Sequence, residues 1–474
     1  MVFSSSLFLL YFLPVFILLY IFIKPSYRNY LALAASIFFY AWGAPRLIFI
    51  VLASILADYH LVNYMHKCSG KKQKLLLAAS VFLNIGLLLY FKYANFFVDN
   101  ANIILQQIGF NHYEWTRIAL PIGISFFTFQ KMSYAVDVYR KVKEPLKRIS
   151  DYALFILLFP QLIAGPIVRF NEVADQLVDR SKNENTEYRL MGFYRFIIGL
   201  SKKVLIANVM GEKADDILAM DFANIDATLA WTGILAYTFQ IYFDFAGYSD
   251  MAIGLGKMMG FKFPENFNNP YISQNISEFW RRWHITLGTW MRDYLYIPLG
   301  GNRVNNKARL FFNLWLVFMI SGFWHGASWS FIVWGAYHGL FLILDKMFLI
   351  KLLKKTGKYF SIIFTFFVTI IGWVLFRIED FGDIGIYLKK MFSFSFTKFD
   401  IYNNNYFIFI FLIALFFSFI TLSRFGKKWE DVFFKSEFNN NKHLKYSAVC
   451  LVLLFLCIAY ITSSDFNPFI YFRF

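Results

Sequence analysis

Long apolar runs separated by short polar segments make up most of the chain. A helix needs about 20 predominantly apolar residues to cross a bilayer, and some of these runs are long enough for two crossings. The runs lie at residues 7–23, 29–63, 75–91, 118–136, 190–209, 228–246, 310–344, 360–376, 405–422 and 447–463. The pattern predicts an all-α, polytopic integral membrane protein with roughly 10–13 membrane helices.

The longest polar interruption runs from about residue 261 to residue 309, and it is too short and too aromatic to fold on its own. We therefore expect a single membrane domain over residues 1–474. Within the interruption, Asn275 with Glu278 three residues later is typical of a helix start. The helix that follows has one apolar face, formed by Ile276, Trp280, Trp283, Leu287, Trp290 and Tyr294. Its spacing predicts an amphipathic helix at the membrane interface.

The apolar run at residues 310–344 has no formally charged side chain and is longer than one crossing requires. It is therefore expected to contain a break, and Ser321-Gly322 is the favoured place because small residues tolerate a kink. This position would put His325 just beyond the break, deep in the membrane domain.

Composition agrees with this class of protein. The chain is 58% hydrophobic and 22% aromatic, with a mean hydropathy of +0.49. Its formal net charge of +17 comes from short Lys and Arg clusters between apolar runs, such as those at 67–74, 140–148 and 351–358. This pattern is typical of cytoplasmic loops that face anionic lipid headgroups. It argues against nucleic acid as a partner and leaves the lipid bilayer as the expected one.

The first apolar run and the cysteines give two further indications about the class of protein. The first apolar run lacks a basic segment before it and a small-residue cleavage signature, so we expect a retained helix and not a signal peptide. Cys68, Cys450 and Cys457 are too few and too scattered for a disulfide framework or a metal cluster.

His325 is the first candidate for chemistry, because an ionisable group within a membrane span is costly and usually functional. A buried imidazole takes a proton from a hydroxyl and returns it to a leaving group. Gly322 with Gly326, and Gly335 with Gly339, have the spacing that lets neighbouring helices approach closely. The structural alternative is a histidine that only forms a hydrogen bond across helices.

His338 lies 13 residues after His325, which is about 220° around a regular helix, so the two side chains would not share a face. A structural role is favoured for His338. These two histidines also lack a third ligand at a credible spacing, so no metal site is expected.

His284 shares its segment with several arginines whose planar guanidinium groups suit phosphate. The candidates for binding an anionic coenzyme A thioester at the cytoplasmic side are Arg281, Arg282, Arg292 and Arg303. The alternative is an ordinary positively charged loop. The sequence contains neither a P-loop nor a G-x-S-x-G nucleophile motif, so nucleotide hydrolysis and a serine acyl-enzyme are not supported.

Five segments resemble the membrane-bound O-acyltransferase family, and its bacterial branch that O-acetylates alginate, peptidoglycan and other exported polysaccharides is the nearest. The resemblance is dense over about residues 120–340. The segments are PIGISFFTFQKMSYAVDVYR (121–140), FPQLIAGPIVRF (159–170), FDFAGYSDMAIG (243–254), PENFNNPYISQNISEFWRRWHITLGTWMRDYLYIPLGGNR (264–303) and SGFWHGASWSFIVWGAYHG (321–339).

The resemblance implies a helical funnel with a catalytic core at about residues 120–340, including the 261–309 segment. His325 matches the catalytic histidine of the family's W-H-G motif, and His284 matches a second family position that is His or Asn. It further implies acetyl-CoA as acyl donor without a metal, and an acetyl group passed across the bacterial cytoplasmic membrane. Relatives in this branch use a separate extracytoplasmic SGNH-type acetyltransferase, so such a partner is expected to complete transfer to the polysaccharide acceptor.

The acceptor and two alternatives stay open. Richness in Phe, Ile, Lys and Asn indicates an AT-rich genome, which favours peptidoglycan or another cell-wall glycan over alginate. D-alanyl transfer to teichoic acid is an alternative within the enzyme class. A polysaccharide or lipid transporter is the alternative from another class, although polar residues spread over several spans would then be expected, and here they concentrate in one segment.

Overall fold

A computed structural model describes residues 2–163, 165–398, 403–435, 438–464 and 466. Over these residues all regular structure is helical and no strand is present, which confirms the predicted all-α class. The contacts divide the chain into two compact units. The first unit contains Leu7–Arg189 and Leu255–Pro264, and the second contains Phe3–Ser6, Leu190–Gly254 and the described residues from Glu265 onwards.

The first unit is built from apolar helices joined by short turns. Gly123 begins one of these helices with a positive φ of 76°, in the left-handed region that glycine adopts readily. Its main helices are Leu13–Phe22, Arg28–Gly43, Leu47–His66, Gly70–Leu88, Ala94–Gln107, Ile124–Tyr139, Ile149–Leu157, Phe159–Leu162 and Phe170–Val178. π-helical turns precede the first of them at Phe8–Phe12 and connect two others at Leu89–Tyr93, and 3-10 turns lie at Pro25–Tyr27 and Ser181–Asn183.

A polar cluster, which we call the Asp58 cluster (Asp58, Ser80, Asn84 and Tyr152), is buried in the first unit. One carboxylate oxygen of Asp58 accepts hydrogen bonds from the Ser80 hydroxyl at 2.6 Å and from the Asn84 amide at 3.0 Å. The other oxygen accepts from the Tyr152 hydroxyl at 2.5 Å. Because each of three helices supplies part of the cluster, these bonds hold the helices together.

The second unit contains the segments that sequence analysis associated with chemistry. Its helices are Thr186–Ser201 (from Leu190), Asn208–Leu218, Ala227–Met258 (as far as Gly254), Ile276–Arg282, Ile285–Met291, Lys307–His325, Trp329–Leu344, Ile350–Thr356, Lys358–Arg377, Phe381–Met391, Asn405–Phe419, Arg424–Lys435 and Asn440–Ser463. π-helical turns lie at Lys202–Ala207, Arg292–Tyr296 and Asp345–Leu349, and 3-10 turns lie at Phe222–Asn224, Pro270–Ile272 and Ile420–Leu422.

Several of the described helices are long and apolar enough to cross a membrane, as expected for a polytopic membrane protein. Five meet both criteria, namely Leu47–His66, Gly70–Gln107, Lys358–Arg377, Asn405–Leu422 and Asn440–Ser463. Phe8–Phe22 is apolar but shorter. The larger total predicted from the apolar runs includes such shorter helices and stays a prediction.

The apolar run at 310–344 contains a break, but the expected position was wrong. The helix Lys307–His325 continues through Ser321 and Gly322 and ends at His325. Gly326 has an extended backbone, with φ −160° and ψ 150°, and the next helix begins at Trp329. His325 is therefore the last residue before the break and not a residue beyond it.

Close packing between the two helices explains why glycine occupies positions 322 and 335. A Cβ atom on Gly322 would lie 2.2 Å from the carbonyl oxygen of Phe331, and one on Gly335 would lie 2.4 Å from that of Phe318. The glycines therefore allow the helices on the two sides of the break to touch through their backbones, as their spacing predicts.

The amphipathic helix expected after Asn275 is also corrected. Its predicted start is confirmed, because the Asn275 side chain accepts a hydrogen bond from the N–H of Glu278 at 2.8 Å. The helix is interrupted after Arg282, however, and most of its apolar face is buried inside the second unit. The loop before it provides the physical reason: Ile285 donates its N–H to the backbone oxygen of Asn266 at 2.9 Å, a bond that a continuous helix would not allow.

Candidate active site

His325 lies at the C-terminal end of Lys307–His325 and is 6% exposed. Three aromatic rings surround its imidazole. The centroid distances are 5.0 Å to Trp324, 5.3 Å to Trp334 and 5.5 Å to Phe376. All three rings meet the imidazole at steep angles, so aromatic side chains form much of its surroundings.

His284 lies between the two short helices Ile276–Arg282 and Ile285–Met291 and is 2% exposed. Its backbone φ is +45°, in the left-handed region that is uncommon for residues other than glycine and that often marks functional sites. The ring centroids of His284 and His325 are 6.4 Å apart. The structure therefore brings together the two histidines that sequence analysis selected, although 40 residues separate them along the chain.

Asn266 fixes the orientation of His284, and sequence analysis missed it. Its side-chain oxygen lies 3.0 Å from Nδ1 of His284 and also accepts from the Thr286 hydroxyl at 2.8 Å. Its amide group donates to Ser249 at 3.0 Å. The available signal was the run of asparagines in PENFNNPY, a short distance before the helix start at Asn275.

This contact defines the tautomer of His284. A carbonyl oxygen accepts hydrogen bonds and cannot donate, so Nδ1 of His284 must carry the proton. In a neutral ring, Nε2 then presents a lone pair, and this atom is buried with no hydrogen-bond partner among the described residues. His284 is thus held as a neutral acceptor.

Burial lowers the pKa of His284 well below its usual range, and the neighbouring His325 ring lowers it further. The neutral form is therefore the one present near pH 7. Since only the neutral ring has a free lone pair, His284 is able to accept a hydrogen bond under physiological conditions.

Five indole rings line the region around the two histidines. We call them the tryptophan pocket (Trp280, Trp283, Trp324, Trp334 and Trp373). Trp280 and Trp334 are in contact at 5.5 Å between centroids, and Trp334 and Trp373 at 6.3 Å. Trp373 also contacts Trp283 at 4.9 Å. An aromatic wall of this kind excludes water and strengthens local electrostatic interactions.

The four arginines predicted to bind a donor have different surroundings. Arg281, Arg292 and Arg303 are exposed, and Arg292 is paired with the neighbouring Asp293 at 2.7 Å. Arg282 is bound to Glu278 at 2.9 Å and to the Asn268 backbone oxygen at 3.1 Å. These arginines lie outside the buried pocket, and their role in binding stays a prediction.

A buried pair of imidazoles within an apolar wall is suited to proton transfer at a group that must be kept from water. Across the residues that the structure describes, no group of three or more His, Cys, Asp or Glu side chains is arranged to hold a metal ion.

Comparison with known proteins identifies the family. A sequence model of the membrane-bound O-acyltransferase family matches residues 123–379, which is more than half of the chain and includes both histidines. The chain belongs to the membrane-bound O-acyltransferase family. It is therefore a membrane-embedded acyltransferase, and this membership favours acyl transfer over the transporter alternative.

Named relatives within the family differ in the group they transfer or the molecule they modify. The chain is 44% identical to "Probable alginate O-acetylase AlgI" of Pseudomonas aeruginosa over 83% of this chain and 75% of that protein. It is 38% identical to a peptidoglycan O-acetyltransferase of Helicobacter pylori over 82% of this chain and 80% of that protein. A teichoic acid D-alanyltransferase of Bacillus subtilis is 33% identical over 48% of this chain and 59% of that protein. The closer similarity is to the O-acetylating enzymes.

Proposed function

We propose that this membrane-bound O-acyltransferase takes an acetyl group from cytoplasmic acetyl-CoA and passes it across the bacterial cytoplasmic membrane for O-acetylation of an extracytoplasmic polysaccharide. The observation that carries the proposal is the buried pair of imidazoles, His284 and His325, 6.4 Å apart inside the tryptophan pocket. Two relatives whose names specify O-acetylation of polysaccharides support the choice of acyl group.

His325 acts in this proposal as the general base. It removes the proton from an acceptor hydroxyl as the hydroxyl oxygen attacks the carbonyl carbon of the thioester. A C–O bond forms, the tetrahedral intermediate then collapses, and the C–S bond breaks. The imidazolium of His325 returns its proton to the departing thiolate, so that the ester and the free thiol are the products.

His284 holds the hydroxyl-bearing reactant. Polarising the thioester carbonyl would need a hydrogen-bond donor, whereas Nε2 of His284 presents a lone pair. The reacting hydroxyl has one proton, which His325 takes, so the lone pair of His284, whose ring centroid lies 6.4 Å from that of His325, accepts instead from a second O–H or N–H group of the acceptor. This arrangement supports a role for His284 in positioning the acceptor.

The aromatic side chains around His325 protect the acyl donor from water. A thioester is hydrolysed if water competes with the acceptor, and the indole rings leave little polar surface beside His325. The exposed Arg281, Arg292 and Arg303, together with Arg282, are the proposed contacts for the phosphates of coenzyme A.

Two acceptors are proposed, and a partner completes the transfer. The names of the relatives support alginate and peptidoglycan, and the AT-rich character of the sequence inclines the choice towards peptidoglycan or another cell-wall glycan. An extracytoplasmic SGNH-type acetyltransferase is the proposed partner that delivers the acetyl group to the polymer.

The test is acetyl transfer in membrane vesicles that contain the protein and its partner. Vesicles with the wild type or with His325→Ala receive labelled acetyl-CoA on the cytoplasmic side, and either alginate or peptidoglycan on the other. The expected result is thioester consumption and labelled polymer with the wild type only. Equal labelling of polymer by His325→Ala would overturn the assignment of the base, and the polymer that takes the label identifies the acceptor.

D-alanyl transfer is the second candidate, because a teichoic acid D-alanyltransferase is among the relatives. The same vesicles supplied with a D-alanyl thioester of a carrier protein distinguish the two. Turnover of that thioester, with acetyl-CoA left intact, would replace the acetyl group in the proposal with D-alanine.

A further inference from the structure

His338 lies on Trp329–Leu344, in the same unit as the catalytic pair, and its side chain is fully buried. Neither of its ring nitrogens has a hydrogen-bond partner among the described residues. An imidazole always offers hydrogen-bonding capacity on both nitrogens, and the neutral form has one donor and one acceptor. Because native proteins rarely leave buried polar groups unpaired, this ring is suited to a partner from outside the chain.

The indole groups beside His338 share this property. The imidazole meets Trp280 at 5.0 Å and Trp334 at 5.2 Å between ring centroids. The Nε1 atoms of both indoles are buried and have no hydrogen-bond partner among the described residues. The three side chains together therefore offer several N–H donors and one acceptor.

The residue before His338 is paired within the fold, which provides a matched comparison. The hydroxyl of Tyr337, the residue before it, donates to the backbone oxygen of Val368 at 2.9 Å. On the facing helix is Gly372, where a Cβ atom would lie 2.5 Å from Nε2 of His338. Nε2 of His338 thus packs against the helix backbone at Gly372, so Nδ1 is the nitrogen that would accept from a ligand.

His338 is also close to the reacting group. Trp334 contacts His325 at 5.3 Å on one side and His338 at 5.2 Å on another. The two imidazoles were expected on different faces of a regular helix, but the break at Gly326–Ser328 removes that constraint. A group held by His338 would therefore lie one indole ring away from His325.

We propose that His338, with the indole N–H groups of Trp280 and Trp334, binds a secondary amide of the acyl donor close to the thioester. This inference rests on the proposed function. A secondary amide has one carbonyl acceptor and one N–H donor, is flat and carries no charge, which matches an uncharged aromatic site with these donors and this acceptor. A sugar hydroxyl has a similar pattern, but it is accompanied by further hydroxyls that aromatic walls do not match.

The experiment compares two small acetyl donors with purified protein in proteoliposomes. S-acetyl-N-acetylcysteamine has the amide, and S-pentyl thioacetate has the same chain length without it. Acceptor-dependent thiol release gives kcat/KM for each donor. The wild type is expected to prefer the amide donor by about tenfold or more, the value of one hydrogen bond to a buried partner.

His338→Phe keeps a ring of similar shape and removes both nitrogens. The preference for the amide donor is expected to fall to near unity, while the Tm stays the same or rises because two unpaired polar atoms are removed. His338→Gln restores a donor and an acceptor and should recover part of the preference. Trp280→Phe, which removes one indole N–H, should lower the preference and gives a second measurement if His338→Phe does not fold.

Tyr337→Phe is the matched control, since it changes the adjacent residue and a hydroxyl that is already paired, and its preference should equal that of the wild type. A His338→Phe or Trp280→Phe protein that retains the full wild-type preference would overturn the inference. A wild type that transfers acetyl from acetyl-CoA but does not discriminate between the two small donors would also overturn it. Failure of the wild type to use acetyl-CoA at all would instead contradict the proposed function.

Discussion

The Asp58 cluster and the tryptophan pocket are both buried polar sites in a membrane protein, and they differ in how their polar atoms are satisfied. Both carboxylate oxygens of Asp58 accept hydrogen bonds from side chains of the chain itself. In the pocket, Nε2 of His284, both nitrogens of His338 and the Nε1 atoms of Trp280 and Trp334 have no partner among the described residues.

The difference separates polar groups that hold helices together from polar groups available to a substrate. A structural site is most stable when every donor and acceptor is paired within the fold. A site for chemistry must leave some of that capacity to the reactants, and the fold is expected to compensate for it elsewhere. Four changes test whether this distinction between the two sites holds.

The largest effect is expected at His325. Replacing it by alanine should lower acetyl transfer by about 10²–10⁴-fold, because the proton acceptor is lost. Thermal unfolding of the purified protein should change little. The measurement is labelled acetyl transfer in vesicles at matched protein levels.

His66→Ala is the control for that variant. His66 is a half-buried histidine of the first unit, 3.1 Å from Glu144, and transfer should persist when it is replaced. Equal loss of acetyl transfer in His66→Ala and His325→Ala would show that the effect is not specific to the tryptophan pocket.

Asp58→Ala should have the opposite effect to His325→Ala. It should lower the stability strongly and leave acetyl transfer per folded molecule nearly unchanged. Three donors would lose their acceptor, which should destabilise the protein by about 2–4 kcal/mol. Asp58→Asn keeps one acceptor oxygen and should be milder. The measurements are the Tm in detergent and the transfer rate per folded molecule. A normal Tm together with a severe loss of acetyl transfer would show that the Asp58 cluster takes part in the reaction. It would contradict the distinction between the Asp58 cluster and the tryptophan pocket.

Gly335→Ala tests the helix contact that places Trp334 beside His325. The added methyl group would lie 2.4 Å from the backbone oxygen of Phe318, and such overpacking costs about 1–3 kcal/mol. Both the Tm and the transfer rate should fall. Gly385→Ala is the control, because a Cβ atom there meets no heavy atom within 4 Å and the position lies inside the helix Phe381–Met391. Equal effects of the two substitutions would argue against the contact.

The smallest change in acetyl transfer is expected for Asn266→Asp, and it appears in the dependence of activity on pH. Because the pKa of His284 is lowered, its neutral form should persist as the pH falls below about 7, so protonation of His284 should not limit the activity of the wild type there. In Asn266→Asp, a carboxylate next to Nδ1 raises that pKa, so the lone pair is lost as the pH falls through the raised value. Asn266→Asp should therefore lose activity at a higher pH than the wild type does.

Asn268→Asp is the matched control, since it adds the same charge to an exposed position of the same loop. Its pH profile should follow that of the wild type. An acid-side loss of the same size in Asn268→Asp would assign the effect to general surface charge and not to the tautomer of His284.

Much of this protein could be predicted from local sequence patterns. The apolar runs gave the helical membrane class, and the Asn275 start was visible because capping depends on residues only three apart. The two candidate histidines, His284 and His325, could be predicted because a histidine in an apolar run needs an explanation, and because the segments that contain them resemble one family. These signals act over short distances or are carried by the residue itself.

The missed features depend on contacts between distant segments. The break after His325, the interruption at His284 and the role of Asn266 all follow from tertiary hydrogen bonds or backbone contacts. The regular helix assumed between His325 and His338 was wrong, because the backbone is extended at Gly326, whereas the structural role favoured for His338 stays a prediction. Helical periodicity gives no indication of where a helix will be broken by its neighbours.

The tryptophan pocket also allows the site to be followed by intrinsic fluorescence. Five of the 12 tryptophans in the chain form this pocket, and Trp324 and Trp334 have their ring centroids within 5.3 Å of that of His325. Indole emission shifts in wavelength when a polar group approaches its N–H, and imidazolium quenches it. A donor that enters the pocket, or a proton that arrives on His325, should therefore change the intrinsic fluorescence of the protein, so that occupancy and reaction are followed in real time without an attached dye.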